Sequence, residues 1–306
     1  SGKEHPSMNN DTPLYQLRKD MCEIGRRIWQ KGFCAGNEGN HSVRIGGDRV
    51  LCTPTGISKG FLDPQDMCVV DMDGTQVEPN ARGRKRTSEV KVHLAIYKCR
   101  DDIRAVIHSH PPHATAFAIA QVPVPEGIHP EAEVFLGKVQ TAQYATPSRQ
   151  DLPDSLTPLI GPETNSLLMG NHGSVSFSNS LIDAYYKLEI LDAYCRILLL
   201  TKQVGKVNVL SHDKMRELLE VKQQFGFSDE RSACVAEGCI GTDNEAFLAT
   251  FDLATTASAS CSCSGGPVQC SCPTFEPSAT TGPDKMNDVF EATVRSITDQ
   301  IVSRMR

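Results

Sequence analysis

The feature that most constrains this chain is an apolar run that ends in two histidines. Residues 105–107 read Ala-Val-Ile, and His108, Ser109 and His110 follow directly. Because successive side chains of a strand alternate between its faces, a strand here places His108 and His110 on the same face. Two imidazoles on one face at a strand end supply most of a transition-metal site. The same pattern also arises from two ordinary polar residues that end a strand, so the metal interpretation depends on what the rest of the chain supplies.

The composition indicates a soluble globular protein. The chain has 306 residues, of which 39% are hydrophobic and 22% charged, which suits one large or two medium domains. Its formal net charge of −6 argues against nucleic acid or an anionic membrane as the main partner. No apolar run approaches the roughly 18 residues of a membrane span, and the first residues lack the apolar core of a signal peptide. We therefore expect a cytoplasmic protein with no nucleic-acid or membrane partner.

The twelve cysteines fall into scattered positions and one dense segment. Four scattered ones lie in apolar-periodic stretches and are expected to be reduced core residues of a cytosolic protein, namely Cys22, Cys52, Cys99 and Cys195. The dense segment has enough thiols for a tetrahedral zinc or an iron–sulfur cluster. Its CxC pairs differ from the CxxC spacing of common zinc knuckles, so free or redox-labile thiols are the alternative. The segment contains Cys261, Cys263, Cys270 and Cys272.

Helical and strand patterns alternate along the first three quarters of the chain. Period-3.6 patterns predict helices over residues 13–31, 88–99, 113–120, 150–160, 180–203 and 212–225. Apolar or alternating runs predict strands over residues 41–45, 50–53, 67–71, 104–108, 166–169 and 174–177. Several strand pairs are joined as hairpins, which favours an α/β architecture with a largely antiparallel sheet between helices. We expect this domain to span residues 1–230, since nothing later fits it.

Two further residues supply parts that a catalytic metal site needs. His172 lies between two short predicted strands and precedes Gly173, which permits close backbone approach. It is either a turn histidine or the third ligand of an ion that keeps open positions for substrate. Glu89 starts a predicted helix, where it either compensates the helix dipole or acts as a general acid/base beside the metal. The other histidines of the domain are interpreted as structural: His41, His93, His113 and His129.

Three turns offer the materials of an anion site. Each combines backbone N–H groups with small polar side chains or a helix start. Each is also compatible with being an ordinary turn. The turns contain Gly39-Asn40, Thr55-Gly56 and Thr87-Ser88.

Taken together, these residues resemble the class II aldolase/adducin family. The motifs follow the family's order over roughly residues 14–228, and several motifs in register are more specific than any one of them. The matching pieces are Gly39-Asn40-His41-Ser42-Val43-Arg44, Thr53-Pro54-Thr55-Gly56, Thr87-Ser88-Glu89, His108-Ser109-His110, Tyr144-Ala145-Thr146 and Asn171-His172-Gly173.

The resemblance implies a three-layer α/β/α fold and a C4 homotetramer with sites at subunit interfaces. It implies Zn²⁺, or another divalent transition metal, on His108, His110 and His172, with Glu89 as the acid/base. It also implies that substrate phosphate is held by Gly39, Asn40, Thr55, Gly56, Thr87 and Ser88.

The resemblance further implies a substrate class. Aldolases of the L-fuculose and L-rhamnulose 1-phosphate type yield dihydroxyacetone phosphate and L-lactaldehyde. A related 4-epimerase has no glutamate at the position of Glu89, so that residue favours an aldolase over this epimerase. A phosphosugar epimerase or dehydratase of the family, and a non-catalytic adducin-like scaffold, are the alternatives.

One departure from the family pattern concerns the residue that acts on the aldehyde oxygen. The resemblance predicts a tyrosine just after His129, where this chain has Pro130-Glu131. Glu131 or Tyr144 is the candidate replacement, and a surface carboxylate is the ordinary interpretation of Glu131. The exact sugar phosphate therefore stays open.

The end of the chain predicts a linker and a terminal helix. We expect residues 231–283 to form a flexible, cysteine-containing linker. Residues 284–306 repeat apolar side chains at three and four, which is typical of an amphipathic helix. This arrangement resembles an encapsulation peptide that binds shell proteins of a bacterial microcompartment. The alternative is a terminal helix that docks on the catalytic domain.

Overall fold

The computed structural model describes residues 13–252. The predictions for the Cys261–Cys272 segment and for the helix over 284–306 lie outside the described residues. In the part that is described, no helix is both long and apolar enough to cross a membrane.

A seven-stranded sheet forms the centre of the described chain. Its order is β3-β2-β1-β4-β7-β6-β5, and every pair is antiparallel except β5 with β6. The mostly antiparallel sheet confirms the predicted fold class. The strands are β1 (Asn40–Gly46), β2 (Arg49–Cys52), β3 (Cys68–Asp71), β4 (Ala105–Ser109), β5 (Gln140–Ala142), β6 (Ser166–Met169) and β7 (Gly173–Ser178).

Helices cover both faces of this sheet. They are α1 (Pro13–Gln30), α2 (Val90–Cys99), α3 (Pro112–Ala120), α4 (Pro130–Phe135), α5 (Asp151–Leu156), α6 (Leu181–Val204), α7 (His212–Gln224) and α8 (Asn244–Asp252). The alternation of side chains along β4 separates two cores. Val106 packs in the cluster with α2 and α5, whereas Ala105 and Ile107 pack in the cluster with α1 and α6. The predicted three layers are thus present, and burial on both faces explains the continuous apolar character of β4.

Two predictions about helix starts and cysteines need correction. Helix α2 begins at Val90 with Glu89 as its N-cap, not at Ser88. Cys99, expected in the core, is exposed because it is the last residue of α2, while Cys52 and Cys195 are buried as predicted.

The expected end of the domain at residue 230 is also corrected. Residues 231–252 belong to the same compact unit as the sheet. Arg231 forms buried ion pairs with Glu126 and Glu133, and Phe247 of α8 stacks against Phe117 of α3. This part of the predicted linker is therefore folded onto the domain, and it contains a disulfide between its two cysteines, Cys234 and Cys239.

Candidate metal and substrate site

Three imidazoles converge at one edge of the sheet. His108 is in β4, His110 follows that strand, and His172 lies in the turn between β6 and β7. The register pairs Ser109 with Ser174, which brings the β6–β7 turn beside the end of β4. The ligand atoms of the three histidines lie within 4.8 Å of one another. The structure therefore brings together the three residues that the sequence suggested as metal ligands.

The chemistry of these side chains fits a divalent metal ion. His108 Nδ1 lies 2.9 Å from the carbonyl oxygen of Ser174, so Nδ1 carries the proton and Nε2 keeps a free lone pair. Burial, with the neighbouring imidazoles, lowers the pKa of His110 and that of His172 to about 4. Neutral imidazoles are the form that binds a metal. Three such ligands leave positions open, as in catalytic zinc sites.

Glu89 faces the three histidines and makes no side-chain cap of its own helix. Its Oε2 lies 3.3 Å from His108 Nε2, and its Oε1 lies 3.6 Å from His172 Nε2. Burial alone would raise the pKa of Glu89, but the two imidazoles and a hydrogen bond from Asn40 together hold it below its usual value. Of the two sequence interpretations, this position favours an acid/base beside the metal over simple dipole compensation.

The turns of the candidate anion site lie around Glu89. Asn40 pairs with His108 in the β1–β4 register. The turn that contains Thr55 and the one that contains Thr87 are joined, because Thr55 N donates to the Lys85 oxygen and Thr87 N donates to the Thr53 oxygen, each at 3.0 Å.

Within these turns, three residues are exposed to solvent and three are buried. Thr55, Gly56 and Ser88 are exposed, whereas Gly39, Asn40 and Thr87 are buried. Gly39 has a φ of +73°, and a Cβ there would lie 2.8 Å from Cys34 Sγ. A side chain there would clash, so the need for a residue without a Cβ atom explains why this position is glycine.

Sequence reasoning missed a buried lysine beside these turns. Lys59 is 1% exposed, and its Nζ donates to the carbonyl oxygens of Asn37 at 2.8 Å and Ile57 at 2.6 Å. It therefore ties the segment before Gly39 to the segment after Gly56. No sequence signal separates it from a surface lysine in the turn Ser58-Lys59-Gly60.

The two candidate replacements for the tyrosine lie in exposed positions. Glu131 Oε2 is 3.3 Å from His129 Nδ1, and the Glu131 side chain is 61% exposed. Tyr144 is 58% exposed. In the described part of the chain, no hydrogen bond or ion pair holds either one against the three histidines.

Comparison with known proteins identifies the family. A model of the family described as "Class II Aldolase and Adducin N-terminal domain" matches residues 19–199. An L-fuculose phosphate aldolase of Methanocaldococcus jannaschii is 32% identical over 62% of this chain and 99% of its own length. A 3-oxo-tetronate 4-phosphate decarboxylase of Haemophilus influenzae is 31% identical over 65% of this chain and 93% of its own length.

A solved structure shows the same fold. An L-fuculose 1-phosphate aldolase superimposes with a TM-score of 0.62 and 28% sequence identity, over 69% of this chain and 97% of that one. The fold, the convergence of three histidines and the family match over residues 19–199 all point to the same family. The chain therefore belongs to the class II aldolase and adducin family and is a class II aldolase.

Proposed function

We propose that the enzyme cleaves a deoxyketose 1-phosphate of the L-fuculose or L-rhamnulose type to dihydroxyacetone phosphate and L-lactaldehyde. The observation that carries this proposal is the convergence of one carboxylate and three imidazoles. Glu89 lies 3.3 Å and 3.6 Å from the Nε2 atoms of His108 and His172, with candidate phosphate-binding turns beside it. Relatives named as aldolases of such sugar phosphates support the substrate class.

The roles of the residues follow from this arrangement. His108, His110 and His172 would hold Zn²⁺ or another divalent transition metal, which when bound supplies Lewis-acid stabilisation of negative charge on the substrate oxygens. Glu89 moves the proton to or from the carbon that carries the enediolate charge.

The turns orient the substrate through its phosphate. Thr55 and Thr87 contribute side-chain hydroxyls, because their own N–H groups bond to Lys85 and Thr53. The six residues of the proposed phosphate site are Gly39, Asn40, Thr55, Gly56, Thr87 and Ser88. Fixing the phosphate positions the reacting carbon against Glu89, which lowers the entropic part of the barrier.

Decarboxylation of a 3-oxo acid phosphate is a second candidate function. The relative from Haemophilus influenzae bears that activity in its name at 31% identity, and Pro130-Glu131 replaces the tyrosine expected of the fuculose enzyme. Loss of carbon dioxide leaves the same kind of charge on carbon as aldol cleavage. The convergence of Glu89 with three histidines speaks against a non-catalytic scaffold.

Product analysis separates these candidates. We would load the full chain with Zn²⁺, Mn²⁺ or Co²⁺ and supply L-fuculose 1-phosphate, L-rhamnulose 1-phosphate or a 3-oxo-tetronate 4-phosphate. Release of dihydroxyacetone phosphate from either ketose, lost in Glu89→Gln at unchanged metal content, supports the aldolase. Carbon dioxide release alone would support the decarboxylase, and no turnover of any of the three would contradict both.

We also propose that the enzyme is a homotetramer in the cytoplasm that is packaged into a bacterial microcompartment through residues 284–306. The amphipathic spacing of that segment and the linker before it support the targeting role. Loss of co-purification with shell proteins when residues 284–306 are deleted is the expected result, and unchanged co-purification would contradict it. Light scattering of the intact protein tests the tetramer. Metal analysis with and without Cys261, Cys263, Cys270 and Cys272 tests whether that segment binds an ion.

A further inference from the structure

A chain of buried hydrogen bonds leads away from Glu89 into the space between β1 and α2. Glu89 Oε2 accepts from Asn40 Nδ2 at 3.0 Å, and Asn40 Oδ1 lies 2.5 Å from His93 Nε2. On the other side of the ring, His93 Nδ1 lies 2.7 Å from Ser42 Oγ, and Ser42 Oγ lies 2.9 Å from the Tyr97 hydroxyl. Asn40, Ser42, His93 and Tyr97 are all buried.

The chemistry of the carboxylate decides the direction of the three bonds between Ser42 and Glu89. An ionised carboxylate only accepts, so Asn40 presents its NH₂ group to Glu89 and its carbonyl oxygen to His93. A carbonyl oxygen also only accepts, so His93 carries its proton on Nε2. Burial lowers the pKa of His93 to about 3, and the neutral ring therefore accepts from the Ser42 hydroxyl at Nδ1.

The bonds thus donate toward Glu89 from the Ser42 hydroxyl onward, while the Tyr97 hydroxyl donates to the Ser42 carbonyl oxygen at 3.0 Å. Bonds aligned in one direction polarise one another and strengthen the last of them. The last bond holds only one of the two carboxylate oxygens, Oε2. The other, Oε1, is buried and has no hydrogen-bond partner in the described residues.

We propose that His93 is a positioning residue that acts through Asn40 to hold Oε2 of Glu89 and leaves Oε1 to carry the proton. The proposal rests on the proposed function of Glu89 as the acid/base. It also gives Asn40 a second task, because one N–H of its amide is taken by Glu89 and the other stays free for the substrate phosphate. An ordinary buried histidine would need neither the Nε2–H tautomer nor a partner that contacts the acid/base.

Paired variants separate positioning from folding. His93→Phe removes the donor to Asn40, whereas His93→Gln keeps an amide N–H near the position of Nε2. His41→Phe is the matched control. His41 follows Asn40 in β1 and is as buried as His93, but its side chain bonds to the Met21 oxygen of α1 on the opposite face of the sheet. Exchange of solvent deuterium into dihydroxyacetone phosphate reports proton transfer without the aldehyde.

For His93→Phe we expect kcat of exchange to fall about tenfold to a hundredfold, a part of the about 10²–10⁴ that a positioned acid/base contributes. Bound metal should stay as in the unaltered protein, His93→Gln should restore most of the rate, and His41→Phe should keep it. Equal losses in both phenylalanine variants, or no recovery in His93→Gln, would overturn the proposal.

A second measurement does not depend on turnover. In the metal-free protein, ¹⁵N spectra of the imidazoles should show His93 as the neutral Nε2–H tautomer. The Nδ1–H tautomer would reverse the chain and overturn the positioning role, even if the enzyme proves active. If the unaltered protein exchanges no deuterium, the proposed function of Glu89 falls, and the tautomer alone then decides whether the directed chain exists.

Discussion

Replacing Arg231 by methionine tests how firmly the segment beyond residue 230 is tied to the domain. Arg231 Nη1 lies 2.7 Å from Glu126 and 2.8 Å from Glu133, and its Nη2 lies 2.7 Å from Asp229. The three carboxylate side chains are only 5%, 2% and 4% exposed, in that order. Lys222 pairs with Asp229 at 2.7 Å, so the cluster holds two cations and three carboxylates.

The size of the effect follows from the burial. Arg231→Met leaves one cation for three buried carboxylates, and removing one partner of a buried ion pair costs about 3–5 kcal/mol. That is a large part of the about 5–15 kcal/mol by which a domain is stable. Burial already raises the pKa of Glu133 and Arg231 opposes that rise. Without Arg231 the pKa of Glu133 rises further, so the folded variant takes up a proton there and its deficit shrinks as pH falls.

Urea unfolding followed by circular dichroism, at fixed protein concentration and at pH 8 and 5.5, measures both effects. Arg216→Met is the control, since Arg216 pairs with Asp213 at 3.0 Å through side chains that are 53% and 76% exposed. We expect that control to lose at most about 0.5 kcal/mol. If Arg231→Met unfolded at the same urea concentration as the control, or if its deficit grew at the lower pH, the buried-cluster reasoning would be refuted.

Three further predictions concern single residues near the site. Gly39→Ala should lower the free energy of unfolding by about 2–4 kcal/mol, because alanine there has a positive φ and clashes with Cys34. Gly83→Ala, where φ is +68° and the space is open, should lower it by only about 1 kcal/mol in the same urea experiment. Lys59→Met should weaken inhibition by inorganic phosphate at least about tenfold, because charged hydrogen bonds of about 1.5–3 kcal/mol each align the two turns, and an unchanged inhibition constant would count against that role. Burial lowers the pKa of His41 from 6.5 to about 4, so as pH falls His41 is protonated in the unfolded chain before it is protonated in the folded one. This difference should lower the free energy of unfolding by about 3 kcal/mol between pH 7 and 4. His41→Gln should lack that part of the drop.

The convergence of the three candidate metal ligands could be predicted from the sequence because their positions depend on local periodicity. His108 and His110 flank the end of a strand that is apolar on both faces, and His172 follows another such strand. Antiparallel register then places these strand ends together, as the pairing of Ser109 with Ser174 shows. The register is specific, since a shift by one residue would turn His108 to the opposite face of the sheet.

Buried charges far along the chain could not be predicted in the same way. Lys59 reads as a surface turn, and Arg231 reads as part of a polar linker. What places them inside is a partner at another point of the fold: Arg231 bonds to Glu126 and Glu133, which are 105 and 98 residues away. Periodicity carries no information about such pairs, which is why the domain end was predicted too early.

The site combines two kinds of support, and they differ in how a remote substitution can disturb them. The histidines and Asn40 lie on strand ends that backbone hydrogen bonds hold in register, with Asn40 opposite His108. Glu89 is instead the residue just before α2, and the described contacts of its side chain are with one amide and two imidazoles. Its orientation therefore depends on side chains behind it, chiefly His93. A buried substitution there is expected to reduce the proposed proton transfer while the candidate metal site stays intact, whereas a change in the strand register would remove both together.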